Sequence, residues 1–283
     1  MVRTQINHLK VLIRGGGEMA SGIAHRLHEC HMKVLITEVL SPTAVRRSLA
    51  FAEAVYLGSQ TLENVKAVLV KEAAGVDLEW QRGHIPLLVD PDAHVRKIIA
   101  PDVLVDAIMA KKNSTTNISD APLVIGVGPG FLAGSNVHAI VESNRGYNLG
   151  RVIWNGAAEP DTGIPAAVSG YAEARVFRAP QSGRFTAFRE IGDHVENGEC
   201  VAEVDGVPIK AQISGMIRGM LRSGIPISAG AKVGDIDPRG EREYCYSISD
   251  KARAIGGGVL EAILHSFWQG DGVRRRSARS SSR

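Results

Sequence analysis

The sequence predicts an α/β protein in which a doubly wound parallel sheet is followed by a smaller all-β module. Three observations support this prediction. Short apolar runs alternate with helical or polar stretches over the first half of the chain. A glycine-rich turn follows the first of these runs, and a pattern of residues recurs at a spacing of 32 positions between residues 179 and 237.

The first apolar run and the turn after it are typical of a phosphate-binding unit. Val11-Leu12-Ile13 leads into Arg14 and three glycines, and a helix follows. Glycines there allow a tight turn and let backbone amides approach a phosphate at the positive end of the helix. The second strand ends at Glu38, where an acid can accept hydrogen bonds from ribose hydroxyls. We therefore predict a Rossmann-like domain over residues 1–172, with these cofactor-binding residues: Arg14, Gly15, Gly16, Gly17, Ala20 and Glu38.

Further apolar runs predict the remaining strands of this sheet, at 54–57, 67–70, 86–89, 102–106 and 122–125. A second glycine turn follows the last of them, and its position after a parallel strand predicts that it lies at the same sheet edge as the first. Polar residues are then dense up to residue 163, and loops held by a rigid sheet often carry binding groups. These features add four residues to the predicted cofactor site: Gly128, Gly130, Arg145 and Arg151.

Catalytic residues are unassigned, and His138 and Glu142 are weak candidates for a proton donor or base. A solvated loop with no binding role is the alternative for this region. No metal site is predicted.

The repeated pattern predicts the all-β module over residues 173–240. Seven residues recur 32 positions later: Ser182, Gly183, Gly192, Val195, Gly198, Val201 and Asp205 match Ser214, Gly215, Gly224, Ile227, Gly230, Val233 and Asp237. Two such units, each too small to bury an apolar face alone, can share one core as a pseudo-symmetric pair. The pattern resembles the barrel-sandwich hybrid fold of biotinyl and lipoyl domains.

That resemblance places a hairpin tip at Val204-Asp205-Gly206-Val207, because Asp-Gly between apolar residues is a strong hairpin signal. The tip has no lysine to carry a cofactor, and Lys210 lies further along the returning strand. A structural or docking role is therefore favoured over a carrier role.

The C-terminal region is predicted to complete the first domain through a helical segment within 241–268. Its glycines 256, 257 and 258 each cost about 1 kcal/mol relative to alanine inside a helix, so we expect another backbone to approach them closely. Residues 269–283 form a basic, serine-rich segment that is predicted to be disordered.

Composition narrows the functional classes. Of the net charge of +3, five arginines lie between residues 274 and 283, so the rest of the chain has a net charge of −2 and nucleic-acid binding is not expected. Three scattered cysteines argue against a disulfide framework. No apolar stretch approaches the length that a bilayer needs. We expect a soluble, cytoplasmic protein.

Four stretches together resemble the YqeB family: Ile13 to Leu27, Pro42 to Arg47, Gly128 to Arg151 and Ala158 to Pro165. The resemblance runs from about residue 10 to residue 265. It implies an accessory protein for the maturation of a selenium-dependent molybdenum hydroxylase, with that enzyme or its maturation machinery as partner. The resemblance supplies no catalytic residue set.

Two functional hypotheses follow, with a third as the default. The first is an assembly factor that binds a nucleotide or dinucleotide-type cofactor, with molybdopterin dinucleotide as one candidate. The second is a nicotinamide-dependent oxidoreductase that uses NAD(P). The third is a non-catalytic protein-docking scaffold. The sequence leaves the ligand, any catalysis, direct handling of selenium or molybdenum, and self-association into a homo-oligomer open.

Overall fold

The computed structural model describes residues 8–110, 112, 115–163, 165 and 167–267. Its largest element is a nine-stranded mixed sheet in the order β3-β4-β5-β2-β1-β6-β7-β8-β9. The strands are β1 (Lys10–Arg14), β2 (Lys33–Glu38), β3 (Ser59–Leu62), β4 (Val65–Val70), β5 (Ile85–Val89), β6 (Val103–Asp106), β7 (Leu123–Val127), β8 (Ala139–Val141) and β9 (Val152–Ile153). The seven strands from β4 to β8 in this order pair in parallel, and the edge strands β3 and β9 pair antiparallel to their neighbours.

Helices cover the two faces of this sheet unequally. The described helices are α1 (Glu18–Glu29), α2 (Ala54–Leu57), α3 (Val76–Gln81), α4 (Arg96–Ile99) and α5 (Asp250–Phe267). The two long helices, α1 and α5, pack together on the face that carries Val11 and Ile13. The face that carries Leu12 is covered by the short α3 and by loop residues such as Phe131 and Val137.

The second half of the chain forms two antiparallel sheets of four strands each, in the orders β10-β17-β15-β12 and β14-β13-β11-β16. Their strands are β10 (Val176–Arg178), β11 (Gly183–Ala187), β12 (His194–Val195), β13 (Cys200–Val204), β14 (Val207–Lys210), β15 (Gly215–Met220), β16 (Pro226–Ile227) and β17 (Lys232–Asp237). The two copies of the repeat exchange strands. Gly183 pairs with Ile227, and the equivalent residues Gly215 and Val195 pair with each other.

The predicted hairpin tip is confirmed. Val204 pairs with Val207, and the two residues between them, Asp205 and Gly206, have φ angles of 44° and 84°. Positive φ at both positions is the requirement of the tight turn that Asp-Gly favours.

The predicted fold class, a Rossmann-like doubly wound domain plus a barrel-sandwich hybrid module, is wrong. A doubly wound sheet needs helical crossovers on both faces, whereas this sheet is mixed and one face lacks a long helix among the described residues. The predicted strand at 54–57 is the short helix α2. The two small sheets are not a free-standing carrier-like module, since the Met220 amide of β15 donates a 2.9 Å hydrogen bond to the Val45 carbonyl.

The close approaches expected of the α5 glycines occur at two of the three positions. A Cβ on Gly256 would lie 3.1 Å from the Gly22 carbonyl oxygen of α1, and one on Gly258 would overlap the Gly150 carbonyl. A Cβ on Gly257 would meet nothing within 4 Å. Helix α5 therefore packs against α1 and against the segment at Gly150, beside the nine-stranded sheet. The predicted division of the chain into domains stays a prediction. The predicted disordered segment 269–283 lies outside the described residues.

Within the described ranges, no helix has both the length and the apolar character needed to cross a membrane.

Candidate functional site

The glycine loop after β1 is closed by the acid at the end of β2. The Gly16 amide donates a hydrogen bond of 2.7 Å to Oε2 of Glu38, and the Val39 amide donates one of 2.7 Å to Oε1. Burial raises the pKa of the Glu38 carboxyl, and these two amides partly offset the shift. Both oxygens of Glu38 therefore hold the loop in this structure.

Most of the loop faces protein backbone. A Cβ on Gly15, which has a φ of 90°, would lie 3.2 Å from the Ala107 carbonyl oxygen. A Cβ on Gly16 would lie 2.9 Å from the Ala52 amide nitrogen, whereas one on Gly17 would meet nothing within 4 Å. Gly15 and Gly16 thus serve close packing, and Gly17 is the part of the loop with open space beside it.

Two further predicted cofactor residues are buried. Arg14 forms a 3.3 Å ion pair with Asp106, donates to the Thr116 hydroxyl and donates a 3.2 Å hydrogen bond to the Pro91 carbonyl. Ala20 is fully buried in the core. Both side chains are buried, with exposed fractions of 5% for Arg14 and 0% for Ala20.

The second glycine turn borders a cleft at the carboxyl ends of β6, β7 and β8. Gly128 and Gly130 have φ angles of 77° and 101°, and a Cβ on Gly128 would collide with the Ser143 hydroxyl. The cleft has a volume of about 470 Å³. We call it the loop cleft, and its lining is Met109, Pro129, 142–145, 159–162, Pro165 and Lys251.

The two candidate bases both accept hydrogen bonds from main-chain amides. Oε1 of Glu142 accepts from the Ser143 and Asn144 amides, and Oε2 accepts from the Glu159 amide, each over 2.7 Å. Nδ1 of His138 accepts a 2.9 Å hydrogen bond from the amide of Val124, and burial lowers the pKa of His138. Glu142 therefore shapes the loop cleft, while His138 is not part of its lining.

Arg145 and Arg151 lie in different surroundings. Arg145 forms two hydrogen bonds with the Asp250 carboxylate, at 2.7 and 2.9 Å. The hydrogen bond from Arg145 is the main cause that lowers the pKa of Asp250 to about 2. Arg151 donates a 3.4 Å hydrogen bond to Asn148 and borders a separate pocket beside Trp154.

A larger cleft of about 960 Å³ is lined by residues of both halves of the chain. Its charged lining has five guanidinium groups and three carboxylates. Each guanidinium group also contacts a carboxylate, which is Glu18, Glu63, Asp235, Asp237 or Asp250. We call it the arginine cleft, and its lining is Arg46, Glu63, Arg145, 167–169, Arg218, Arg239, Glu243, Tyr244, 247–250 and Arg253. Arginine binds phosphate and carboxylate groups through a planar fork of donors.

Arg46 is the most buried arginine of this cleft, with 6% of its surface exposed. Its Nη1 lies 3.4 Å from Oε1 of Glu18, and its Nη2 donates a 2.9 Å hydrogen bond to the Tyr244 carbonyl. Its buried Nε has no hydrogen-bond partner among the described residues. Burial lowers the pKa of Arg46, and nearby Arg218 lowers it further while Glu18 opposes the shift. A buried donor without a partner costs stability.

Two buried carboxylates hold other arginines of the cleft. Nε of Arg218 lies 3.2 Å from Asp235, and Nη2 of Arg239 lies 2.7 Å from Asp237. Burial alone would raise the pKa of Asp235, but Lys232 and Arg218 hold it well below its usual range. The guanidinium groups are thus fixed before any ligand arrives.

Four further cleft residues, Arg218, Arg239, Arg253 and Lys251, were not predicted from the sequence. One signal for the first of them was present in the repeat. Arg218 stands where the first copy has Thr186. A charged residue that departs from a structural repeat is a candidate for function.

No group of three or more His, Cys, Asp or Glu side chains placed to hold a metal ion occurs among the described residues.

The chain is similar in sequence to a curated protein. Uncharacterized protein YqeB of Escherichia coli (strain K12) is 45% identical over 263 residues, which is 93% of this chain and 49% of that protein. The chain thus spans about half the length of the curated relative that it matches. No protein-family model matches the chain.

Solved structures align only loosely. An aspartoacylase family protein from Mesorhizobium loti is 12% identical over 81% of this chain and 85% of that chain, with a TM-score of 0.26. Ectoine utilization protein EutE (DoeB) from Ruegeria pomeroyi is 12% identical over 81% and 86%, with a TM-score of 0.24. At such TM-scores they support no inference of a shared activity.

Proposed function

We propose that the chain belongs to the YqeB family, on the strength of 45% identity over 93% of its length, and that it is an accessory protein for the maturation of a selenium-dependent molybdenum hydroxylase. In this proposal it binds an anionic, nucleotide-bearing cofactor in the arginine cleft. Its partner is the hydroxylase or the machinery that matures it, and it acts in the cytoplasm.

The observation that carries the ligand part of the proposal is the arginine cleft itself. Five guanidinium groups line it, and the buried Nε of Arg46 has no partner among the described residues. Its volume of about 960 Å³ lies at the upper end of the roughly 300–1,000 Å³ that is usual for small-molecule sites. A phosphate-bearing cofactor of dinucleotide size, such as molybdopterin dinucleotide, suits both the charge and the volume.

No contact among the described residues specifically favours the oxidoreductase alternative. It assigned the proton donor or base to His138 or Glu142, and the Glu142 oxygens both accept hydrogen bonds from main-chain amides. His138 lies outside the lining of both clefts.

A thermal-shift and calorimetric comparison tests the proposal. We expect molybdopterin cytosine dinucleotide or cytidine diphosphate to raise the melting temperature of the full chain. Arg239→Gln should weaken that binding at least five-fold, because Arg239 lines the cleft. Arg178→Gln is a matched control, since both arginine side chains are 44% exposed and pair with a carboxylate, and Arg178 lies outside the cleft.

Two results would overturn the proposal. Stabilisation by NADH or NADPH, without stabilisation by the cytidine compounds, would favour the nicotinamide-dependent oxidoreductase. No stabilisation by any of these nucleotides would favour a protein-docking scaffold.

A further inference from the structure

The loop cleft and the arginine cleft meet at one side chain. Arg145 lines both of them, and two adjacent residues of α5 each line one of the two clefts. Asp250 lines the arginine cleft, and Lys251 lines the loop cleft. The two clefts are therefore neighbouring chambers with a shared, positively charged boundary.

The chambers differ in chemistry. Guanidinium groups dominate the lining of the arginine cleft. The loop cleft combines Met109 and Pro129 with hydroxyl and amide groups and with three carboxylates, which are Glu142, Glu159 and Asp161. Apolar surface beside several hydrogen-bond acceptors suits an uncharged ring that donates hydrogen bonds. One chamber therefore fits a charged group, and the other fits a heterocycle.

Lys251 at the boundary has an unusual environment. Its ammonium group forms no hydrogen bond or ion pair with the described residues, although the side chain is half-buried. Burial lowers the pKa of Lys251, and the nearby charge of Arg145 lowers it further. Glu18, Glu142 and Asp250 act in the opposite direction without removing the shift. Two neighbouring cations, one of them desolvated, form a site that an anion stabilises.

A second feature belongs to the arginine cleft. Arg46 lines this cleft with a side chain that is more than nine-tenths buried, and its Nε has no hydrogen-bond partner among the described residues. The start of the 18-residue helix α5 lies at the boundary of the two clefts, and its aligned peptide dipoles add positive potential there.

We infer that the ligand is a diphosphate-bridged, two-headed nucleotide whose bridge lies between Arg145 and Lys251 and whose two heads occupy the two clefts. This inference rests on the proposed function and adds the class of ligand and the residues that hold the bridge. Lys251 is a binding residue for the bridge, while Arg46 and Arg218 serve the arginine cleft.

Calorimetry with two probes on the full chain tests the inference. The probes are cytidine 5′-monophosphate and P1,P2-di(cytidine-5′) diphosphate, which differ in the bridge and the second head. We expect the bridged probe to bind at least ten-fold more tightly than the monophosphate. Lys251→Gln should remove most of that gain and change the affinity for the monophosphate less than two-fold. Lys210→Gln, which alters an exposed lysine outside both clefts, should change neither.

The outcomes separate this inference from the proposed function. Equal affinities for the two probes, or a Lys251→Gln variant that weakens both alike, would overturn the inference and leave the proposed function standing. Absence of binding by either probe would contradict the proposed function itself. Circular dichroism and melting temperature of each variant identify a loss that comes from misfolding.

Discussion

Arg145 and Asp250 form a bidentate ion pair, with hydrogen bonds of 2.7 and 2.9 Å, at the boundary of the two clefts. The carboxylate occupies the donors that an incoming anion would use. Because 71% of the Asp250 side chain and 41% of the Arg145 side chain are exposed, the pair contributes little to stability, typically about 0–1 kcal/mol. Its main consequence is competition with an anionic ligand.

Asp250→Asn should therefore tighten phosphate binding while it slightly destabilises the fold. We expect the affinity for P1,P2-di(cytidine-5′) diphosphate to rise by several-fold, because the amide competes less strongly for the Arg145 guanidinium that contacts the bridge. Calorimetry at low ionic strength measures the change. Asp77→Asn alters another exposed acid in the first turn of a helix, α3, and should leave the affinity unchanged. Weaker binding by Asp250→Asn would contradict the competition.

Asp235 should be a main support of the arginine cleft. Its carboxylate is fully buried and lies within 3.7 Å of nitrogen atoms of three cations, which are Arg175, Arg218 and Lys232. Asp235→Asn leaves these charges facing a neutral amide, and breaking a buried pair in this way costs about 3–5 kcal/mol. Urea denaturation at pH 7 measures the free energy of unfolding. Asp92→Asn, at an exposed acid, should change it by less than about 0.5 kcal/mol.

The Asp235 carboxylate should also make the free energy of unfolding depend on pH in the acid range. The folded-state pKa of Asp235 is below its usual value, so its stabilising contribution is present above the unfolded pKa of about 3.9 and is lost as the pH falls below it. We expect the difference in unfolding free energy between wild type and Asp235→Asn to shrink between pH 5 and pH 2. A difference that stays constant over this range would show that Asp235 does not titrate with folding.

Glu38 has the opposite linkage. Its folded-state pKa is raised by burial, so the folded protein binds more protons than the unfolded chain just above the unfolded pKa of about 4.3, and stability falls as the pH rises through that range. Gln does not titrate. We expect Glu38→Gln to gain stability relative to wild type as the pH rises from 4 to 7, as measured by urea denaturation. The control Glu29→Gln, at an exposed acid, should show no such trend. Absence of the trend in Glu38→Gln as well would mean that the wild-type Glu38 carboxyl has the same pKa in the folded and unfolded states.

Local features of this fold were predictable from the sequence, whereas tertiary contacts were not. The Asp205-Gly206 turn was predictable because two residues with positive φ are a local requirement. The position of Glu38 at the loop was predictable from strand and loop spacing, but its hydrogen bond to Gly16 was not. Sequence spacing predicts which residues meet at a sheet edge. It does not predict whether a protein amide or a ligand donates the hydrogen bond to the carboxylate there.

The arginine cleft could not be predicted from local sequence patterns. Arg46 and Arg218 are 172 positions apart along the chain, and they share a lining because β15 packs against the segment that contains Val45. The doubly wound prediction failed for a related reason. Alternating apolar runs indicate strands, but they do not determine whether a long helix or a loop returns the chain across each face.

The glycines of α5 provide a matched pair of substitutions on one helix. A Cβ on Gly258 would overlap the Gly150 carbonyl and lie 2.8 Å from Cγ1 of Val141, whereas a Cβ on Gly257 would meet nothing within 4 Å. Gly257→Ala should therefore stabilise the protein by up to about 1 kcal/mol through helix propensity. Gly258→Ala should destabilise it by about 1–3 kcal/mol through overpacking, in spite of the same propensity gain.

Urea denaturation of the two variants side by side measures both effects, because the substitutions are chemically identical and differ only in their surroundings. Equal effects of the two substitutions would mean that α5 does not pack against the backbone at Gly150. Opposite signs would establish that the helix is held there by close backbone contact. That contact would also fix Asp250 and Lys251, at the start of the same helix, at the boundary of the two clefts.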